Sequence, residues 1–139
     1  MRGLVGLRHL AAVAMVAALV GGAARAQDTV AGFYKGRTLT IVVGSSPGGG
    51  YDLYGRLLGR FLGRHVPGNP TILVQNMPGA ASNVAAAYVY NVAPKDGTVM
   101  GAIFMGAVVE PLFGEAKRST HDTGKFNYIG NANSDAYVC

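Results

Sequence analysis

The sequence predicts an α/β fold in which the strands of a parallel β-sheet alternate with helices along the chain. Three apolar, β-type runs begin near Leu39, Thr71 and Thr98, and two segments with helical spacing of apolar residues separate them. Glycine- and proline-rich turns lie between these segments. A β-α-β-α-β order of this kind favours a parallel sheet with right-handed crossovers.

The first strand is predicted at Thr38 to Val43, which is apolar on both faces, as expected for a strand covered on two sides. The first helix is predicted from Asp52 to Arg64. The apolar residues that recur with the helical period predict its packed face, and they are Leu53, Tyr54, Leu57, Leu58, Phe61 and Leu62. The Gly-Arg pairs at 55–56, 59–60 and 63–64 are predicted to face water. A phosphate- or nucleic-acid-binding arginine row is the alternative.

The second half of the pattern repeats the first. A turn with two prolines ends the helix and leads to a second strand, predicted at Thr71 to Gln75. The next turn, Asn76 to Asn83, ends in residues that commonly cap helices, and a second helix is predicted from Asn83 to Asn91. An Asp-Gly turn then precedes a third strand, predicted at Thr98 to Phe104.

Beyond the third strand the pattern is weaker. Residues 108–113 are predicted to form a short helix or turn around Pro111, residues 115–124 a polar loop, and residues 126–130 and 136–139 strands. Because the sequence ends on Tyr-Val-Cys without a closing turn, we expect a truncated domain.

The first 26 residues have the composition of a secretory signal peptide. Arg2 and Arg8 form a basic start, Leu10 to Val20 is an unbroken apolar run, and Ala24-Arg25-Ala26 is a small-x-small cleavage signal. The apolar run is shorter than the roughly 20 residues that a membrane span requires. We therefore predict cleavage after Ala26, a periplasmic location and a mature domain of residues 27–139. A short membrane anchor is the alternative.

Charge and cysteine content narrow the classes of function. The chain has 12 Lys and Arg against seven Asp and Glu, a formal net charge of +5. Three of the arginines belong to the predicted signal peptide, so the mature segment is only weakly basic and does not indicate a nucleic-acid partner. Cys139 is the single cysteine, which excludes an intramolecular disulfide framework.

The glycine-rich stretch after the first strand carries the strongest functional signal. Residues 44–52 have the sequence GSSPGGGYD and join a predicted strand to a helix start. Glycines let the backbone approach a ligand closely, and the free N–H groups and positive dipole of a helix N-terminus favour an anion. Ligands bind outside the carboxyl ends of parallel strands. This loop, the Asn76–Asn83 turn and Met105 to Val109 should therefore share one edge and form an anion site.

The motifs of common nucleotide and catalytic sites do not fit the sequence. No Gly-Lys-Ser/Thr follows the glycines, and Leu53 stands where a dinucleotide fingerprint requires glycine. His65 and His121 have no neighbours with metal-ligand spacing, and the loop serines have no adjacent base. Asp52 could be a catalytic carboxylate, but its place in the first helical turn favours a structural role. We therefore expect a binding protein rather than an enzyme, with no cofactor or metal.

Three motifs in this order resemble those of a known receptor family. They are Pro47-Gly48-Gly49-Gly50-x-Asp52, Asn76-x-Pro78-Gly79-Ala80 and Ala93-Pro94-x-Asp96-Gly97-Thr98. Together they are similar to the Bug family, the periplasmic substrate-binding receptors of tripartite tricarboxylate transporters. The resemblance implies one lobe of a two-lobed, type II periplasmic-binding-protein-like fold. Such a receptor, expected here to be monomeric, binds a small organic carboxylate and delivers it to the membrane subunits of the transporter.

The resemblance also implies which residues hold the ligand, because in the family the loops after the first two strands bind one carboxylate through backbone N–H groups and bridging water. Carried over to this chain, the ligand-binding residues are Ser45, Ser46, Pro47, Gly48, Gly49, Gly50, Tyr51 and Asp52 in the first loop, and Asn76, Pro78, Gly79, Ala80, Ala81, Ser82 and Asn83 in the second. The family usually has an aromatic residue in place of Ser45, so a more polar pocket wall is expected. Such receptors have roughly 300 residues, a multi-domain length. We therefore expect this chain to lack the second lobe and to bind carboxylates weakly on its own.

Two other interpretations stay open at this point. One is a periplasmic α/β enzyme that acts on an anionic small molecule, with Asp52 or a loop serine as the catalytic group. The other is a fragment of the receptor that has no function of its own.

Overall fold

Three parallel strands form the centre of the structure, a computed structural model that describes residues 29–113 and 120–132. Strand β1 is Thr38–Val43, β2 is Thr71–Asn76 and β3 is Val99–Ala102. The strands lie in the order β2-β1-β3, and both pairings are parallel. Val43 of β1 pairs with the last residue of each neighbour, so all three strands end at one edge of the sheet. The predicted parallel α/β sheet is confirmed, although β3 is shorter than predicted.

Helices follow the strands in the predicted order. Helix α1 is Gly50–Leu62, α2 is Asn83–Asn91 and α3 is Met105–Val109. Residues 29–34, before β1, are also helical, and single 3-10 turns occupy Ala80–Ser82, Glu110–Phe113 and Thr123–Lys125. The described helices are all too short or too polar to cross a membrane. The bounds of α2 are those predicted, while α1 begins two residues before the predicted start.

The predicted strand at residues 126–130 is wrong, because this segment has no regular secondary structure and pairs with no strand of the described sheet. Its aromatic residues instead pack on each other, with the rings of Phe126 and Tyr128 6.3 Å apart. The predicted strand at 136–139 and the predicted signal peptide at 1–26 lie outside the described residues.

The core is centred on β1, whose side chains are buried on both faces of the sheet. Leu39, Ile41 and Val43 are at most 2 % exposed and pack with residues of β2 and β3 on the face that α1 covers. Val42 is 1 % exposed on the opposite face. On that face α2 packs closely, since a Cβ added at Gly101, the partner of Val42, would lie 3.3 Å from a methyl group of an α2 valine. The predicted two-sided cover of β1 is therefore confirmed.

Helix α1 packs through its glycines rather than through its apolar residues, which corrects the predicted orientation of this helix. A Cβ added at Gly55 would lie 2.7 Å from the Val43 side chain, and one added at Gly59 would lie 2.8 Å from Val74. The apolar residues predicted to face the sheet are instead exposed, except for Leu62. The exposed ones are Leu53, Tyr54, Leu57, Leu58 and Phe61. Glycines allow this approach because the β-branched side chains of the sheet already fill the space between helix and sheet.

Candidate functional site

The segments that follow the three strands meet at the edge where the strands end, as predicted. Met105–Val109, expected to be one of three loops here, instead forms helix α3. We call this region the rim and define it as residues 44–49, 77–82 and 103–104, together with the first turns of α1 and α2. All of the ligand-binding residues predicted from the sequence lie in it or at its border. Three groups of hydrogen bonds hold the rim loops against one another.

Asp52 and Asn76 connect the first rim loop to the end of β2. The Asp52 carboxylate, which is 3 % exposed, accepts hydrogen bonds from the Gly48 N–H (2.8 Å), the Arg56 Nε (2.9 Å) and the Asn76 Nδ2 (2.9 Å). Asn76 Nδ2 also donates to the Ser45 carbonyl at 3.0 Å, and Asn76 Oδ1 accepts from Arg56 at 3.0 Å. The first loop therefore has a fixed position relative to the second strand.

These donors stabilise the ionised form of Asp52. The hydrogen bond from Arg56, followed by those from the Gly48 N–H and from Asn76, lowers the pKa of Asp52 from 3.8 to about 2. Both carboxylate oxygens are bonded to the chain itself, so Asp52 organises the loop in addition to suiting the helix dipole. Arg56 is exposed, as predicted, and its guanidinium also binds Asp52 and Asn76, which was not predicted.

Ser82 connects the second rim loop to the first and third. It is 1 % exposed, and its hydroxyl accepts a hydrogen bond from the Phe104 N–H at 3.2 Å. A Cβ added at Gly44 would lie only 1.6 Å from this hydroxyl oxygen, so the close approach requires glycine. The predicted capping of α2 by side chains of this turn is wrong, because Ser82 occupies the N-cap position without a side-chain cap bond. Its hydroxyl binds the Phe104 N–H of the third loop instead.

The second rim loop has an unusual backbone. Gly79, Ala80, Ala81 and Ser82 all have positive φ values, of 137°, 46°, 50° and 78°. A left-handed conformation costs an L-residue roughly 1–2 kcal/mol, so three such residues in succession persist only where surrounding contacts hold them. Strain of this kind is concentrated at ligand sites in many proteins. In this chain it coincides with the second predicted ligand loop.

The first rim loop presents backbone to solvent. Gly48, Gly49 and Gly50 are exposed, and a Cβ added at Gly48 or Gly50 would have no atom within 4 Å. The first N–H groups of α1 have no acceptor within the helix, as at any helix start. Beside them, the ring of Tyr51 packs on Phe104 with centroids 4.1 Å apart and forms one wall of the rim. Ser46 and Pro47 are exposed at the entrance of this loop.

A carboxylate of the chain also lies beside the start of α2, and unlike Asp52 at the start of α1 it forms no ion pair within the described residues. The amide of Asn83 donates to Glu110 and to the carbonyl of Ala80. Among the described residues, two buried side-chain polar atoms have no hydrogen-bond partner, Ser45 Oγ and Asn83 Oδ1, and both belong to the rim. Buried polar atoms are usually bonded, so these two are available to a ligand or to water.

Sequence reasoning missed three residues that lie in the rim or bond to it. Arg56 lies four residues after Asp52 on the same helix, a spacing that pairs opposite charges, and the pair could have been found from that signal. Phe104 lies in the third loop and Glu110 follows α3, and the parallel topology already assigned this loop to the edge.

Three residues that were predicted to bind the ligand are exposed on the second loop, and they are Pro78, Ala80 and Ala81.

Comparison with known proteins does not identify a family, so a function must be inferred from the residues of the rim. No match to this chain was found among protein-family models or among curated proteins. Within residues 29–113 and 120–132, no three His, Cys, Asp or Glu side chains are placed to hold a metal ion together.

Proposed function

We propose that this chain contributes a carboxylate-binding lobe to a periplasmic receptor similar to the Bug family, which delivers a small organic carboxylate to a tripartite tricarboxylate-type transporter. The observation that carries the proposal is the rim. Its first loop has exposed glycine backbone at a helix start and contacts the strained Gly79–Ser82 loop through Gly44 and Ser82. Asn76 and Ser82 fix both loops in place before any ligand arrives. Preorganised loops of this kind lower the entropic cost of binding.

The charges of the rim favour one carboxylate group over a phosphate dianion. Asp52 and Glu110 are acidic, and Arg56 balances only one of them. A singly charged group is therefore repelled less than a doubly charged one. At the start of α1 the Asp52 carboxylate is paired with Arg56, whereas Glu110 at the start of α2 has no such partner among the described residues. The Gly48 N–H is already bonded to Asp52, so we place the carboxylate at the backbone of Gly49 and Gly50 in the first turn of α1.

The proposal is tested by thermal denaturation of the chain with millimolar concentrations of di- and tricarboxylates, amino acids and inorganic phosphate. A ligand present at ten times its Kd stabilises the folded state by about 1.4 kcal/mol, which raises the Tm. We expect a saturable rise for at least one carboxylate and a smaller one for phosphate.

Two variants test whether a ligand-induced rise in Tm comes from binding at the rim. Gly49→Val adds a side chain above the loop, where the nearest atom to a Cβ is a carbonyl oxygen at 3.7 Å, so folding should be preserved while access to the backbone is blocked. Gly32→Val is the matched control, because a Cβ there meets no atom within 4 Å and residue 32 precedes the opposite edge of the sheet. Unchanged affinity in Gly49→Val would overturn the proposal, and chemical turnover of a stabilising ligand would favour the enzyme interpretation.

A further inference from the structure

The inverted orientation of α1 leaves an apolar surface on the outside of the molecule. Successive residues of a helix are about 100° apart, so Leu57 and Phe61 lie opposite the buried glycines. We call Leu53, Tyr54, Leu57, Leu58 and Phe61 the α1 ridge. Each of the five is between 40 % and 67 % exposed. Scattered apolar residues are ordinary on a protein surface, but a contiguous group of this kind marks an interaction site.

The shape of the α1 ridge fits a helix. Leu53, Leu57 and Phe61 follow one another at four-residue spacing, and Tyr54 and Leu58 form a second row at the same spacing. Rows at this spacing are the ridges that enter the grooves of a second helix in the commonest class of helix packing. The 13 residues of α1 are about 20 Å long, enough for three turns of a partner helix.

The charge at one side of the α1 ridge specifies the partner further. Arg60 and Arg64 hold their guanidinium groups 5.8 Å and 4.7 Å from the centre of the Phe61 ring. Neither arginine forms an ion pair within the described part of the chain, whereas Arg56 is committed to Asp52. Two unpaired cations along an apolar ridge are complementary to carboxylates placed beside an apolar stripe.

The same charges disfavour two other occupants. A second copy of α1 offers no exposed carboxylate, because Asp52 is the one acidic residue of this helix and it is buried. An anionic bilayer would be bound best by cations on both sides of the apolar face. Here the arginines lie on one side, and Tyr51 lies on the other.

We propose that the α1 ridge is the docking site of an amphipathic helix with acidic side chains along one edge of its apolar stripe. The docked helix covers Leu57 and Phe61 and places its carboxylates against Arg60 and Arg64. This interface is independent of the rim and of the function proposed for it.

The test uses the full chain and a pair of fluorescein-labelled synthetic peptides of about 18 residues, long enough to cover α1. Both peptides carry leucine at helical spacing, and one has glutamate at the flanking positions where the other has lysine. We expect fluorescence anisotropy to show about tenfold tighter binding of the glutamate peptide, since each exposed ion pair contributes only a few-fold. Arg60→Glu/Arg64→Glu should reverse this preference, and Leu57→Lys should abolish the binding of both peptides.

Lys125→Glu is the control for net charge, because its ammonium pairs with Asp122 and is not part of α1. It should change the affinity less than twofold. Equal affinity for the two peptides, in the native chain or after charge reversal, would overturn the proposal. So would a Leu57-dependent dimer by analytical ultracentrifugation, or binding to phosphatidylglycerol vesicles that needs Arg60 and Arg64 without any preference between the peptides.

Discussion

Among the glycines of the rim, Gly44 leaves the least room for a side chain, because Ser82 lies against it. Gly44→Ala tests whether this close approach holds the loops together. The new Cβ would lie 1.6 Å from Ser82 Oγ and 2.8 Å from Ser82 Cβ, so Ser82 must move. Moving it breaks the hydrogen bond that its hydroxyl accepts from the Phe104 N–H. The residue that follows β1 and the third loop would then no longer be linked through Ser82.

The expected cost follows from these contacts. Overpacking of a filled site costs about 1–3 kcal/mol, and the lost hydrogen bond about 1 kcal/mol more. Alanine offsets about 0.4–1 kcal/mol of this by restricting the unfolded chain. We therefore expect Gly44→Ala to lower the free energy of unfolding by about 1–3.5 kcal/mol, measured by urea denaturation monitored by circular dichroism.

Two further variants decide whether the reasoning is correct. Gly49→Ala is the matched control, because its Cβ meets no atom closer than 3.7 Å, and its stability should stay near that of the native chain. Ser82→Gly removes the obstructing side chain and suits a φ of 78°, so it should restore part of the stability that Gly44→Ala loses. Additive effects of the two substitutions, or equal stability of Gly44→Ala and Gly49→Ala, would refute this account.

Two other predictions concern Asp52 and the face of α1 that packs. The pKa of Asp52 is lowered from 3.8 to about 2, so its ionised form stabilises the fold above about pH 4, and this contribution is lost as the pH falls through 2. Asp52→Asn should flatten the fall of Tm between pH 4 and 2, and parallel curves for the two proteins would contradict this role. Gly59→Leu should cost about 3 kcal/mol because the side chain has no space beside Val74. Leu57→Ala should cost less than about 1 kcal/mol, and the reverse order in urea denaturation would mean that the apolar face packs on the sheet.

The strands and the rim could be predicted because local sequence determines them. The apolar run of β1 is bounded by polar and glycine residues, and its predicted bounds agree with the structure. Parallel pairing then brings the strand ends to one edge, which placed Asn76 beside the first loop without any knowledge of contacts. The partners of Asp52 were not predictable to the same degree, because an Asn–Asp–Arg network depends on side-chain directions. Within this network, the sequence shows one pairing in advance, the four-residue spacing between Asp52 and Arg56.

The packed face of α1 was predicted wrongly for a physical reason. The helix contains two periodic rows, one of glycines and one of apolar residues, and periodicity identifies both without saying which row meets the sheet. Hydrophobicity favours the apolar row, but the space above Val43 and Val74 admits only a helix surface without side chains. The choice depends on the strand residues opposite the helix, and a single helix pattern does not contain them.

The glycine row of α1 also positions the first rim loop, so the packing of this helix on the sheet and the geometry of the rim should be coupled. Asp52 and Gly55 are the buried residues of α1 and lie almost one turn apart, so the distance between helix and sheet sets how far Asp52 stands from Asn76. Gly55→Ala would press against Val43 and push the helix outward, which lengthens the Asp52–Asn76 hydrogen bond. The pKa of Asp52 should then rise towards its ordinary value, and the acid limb of the Tm profile should move to higher pH. Carbon-detected NMR titration of Asp52 in Gly55→Ala measures this directly, and a loss of stability with an unchanged pKa would show that the sheet contact and the rim are independent.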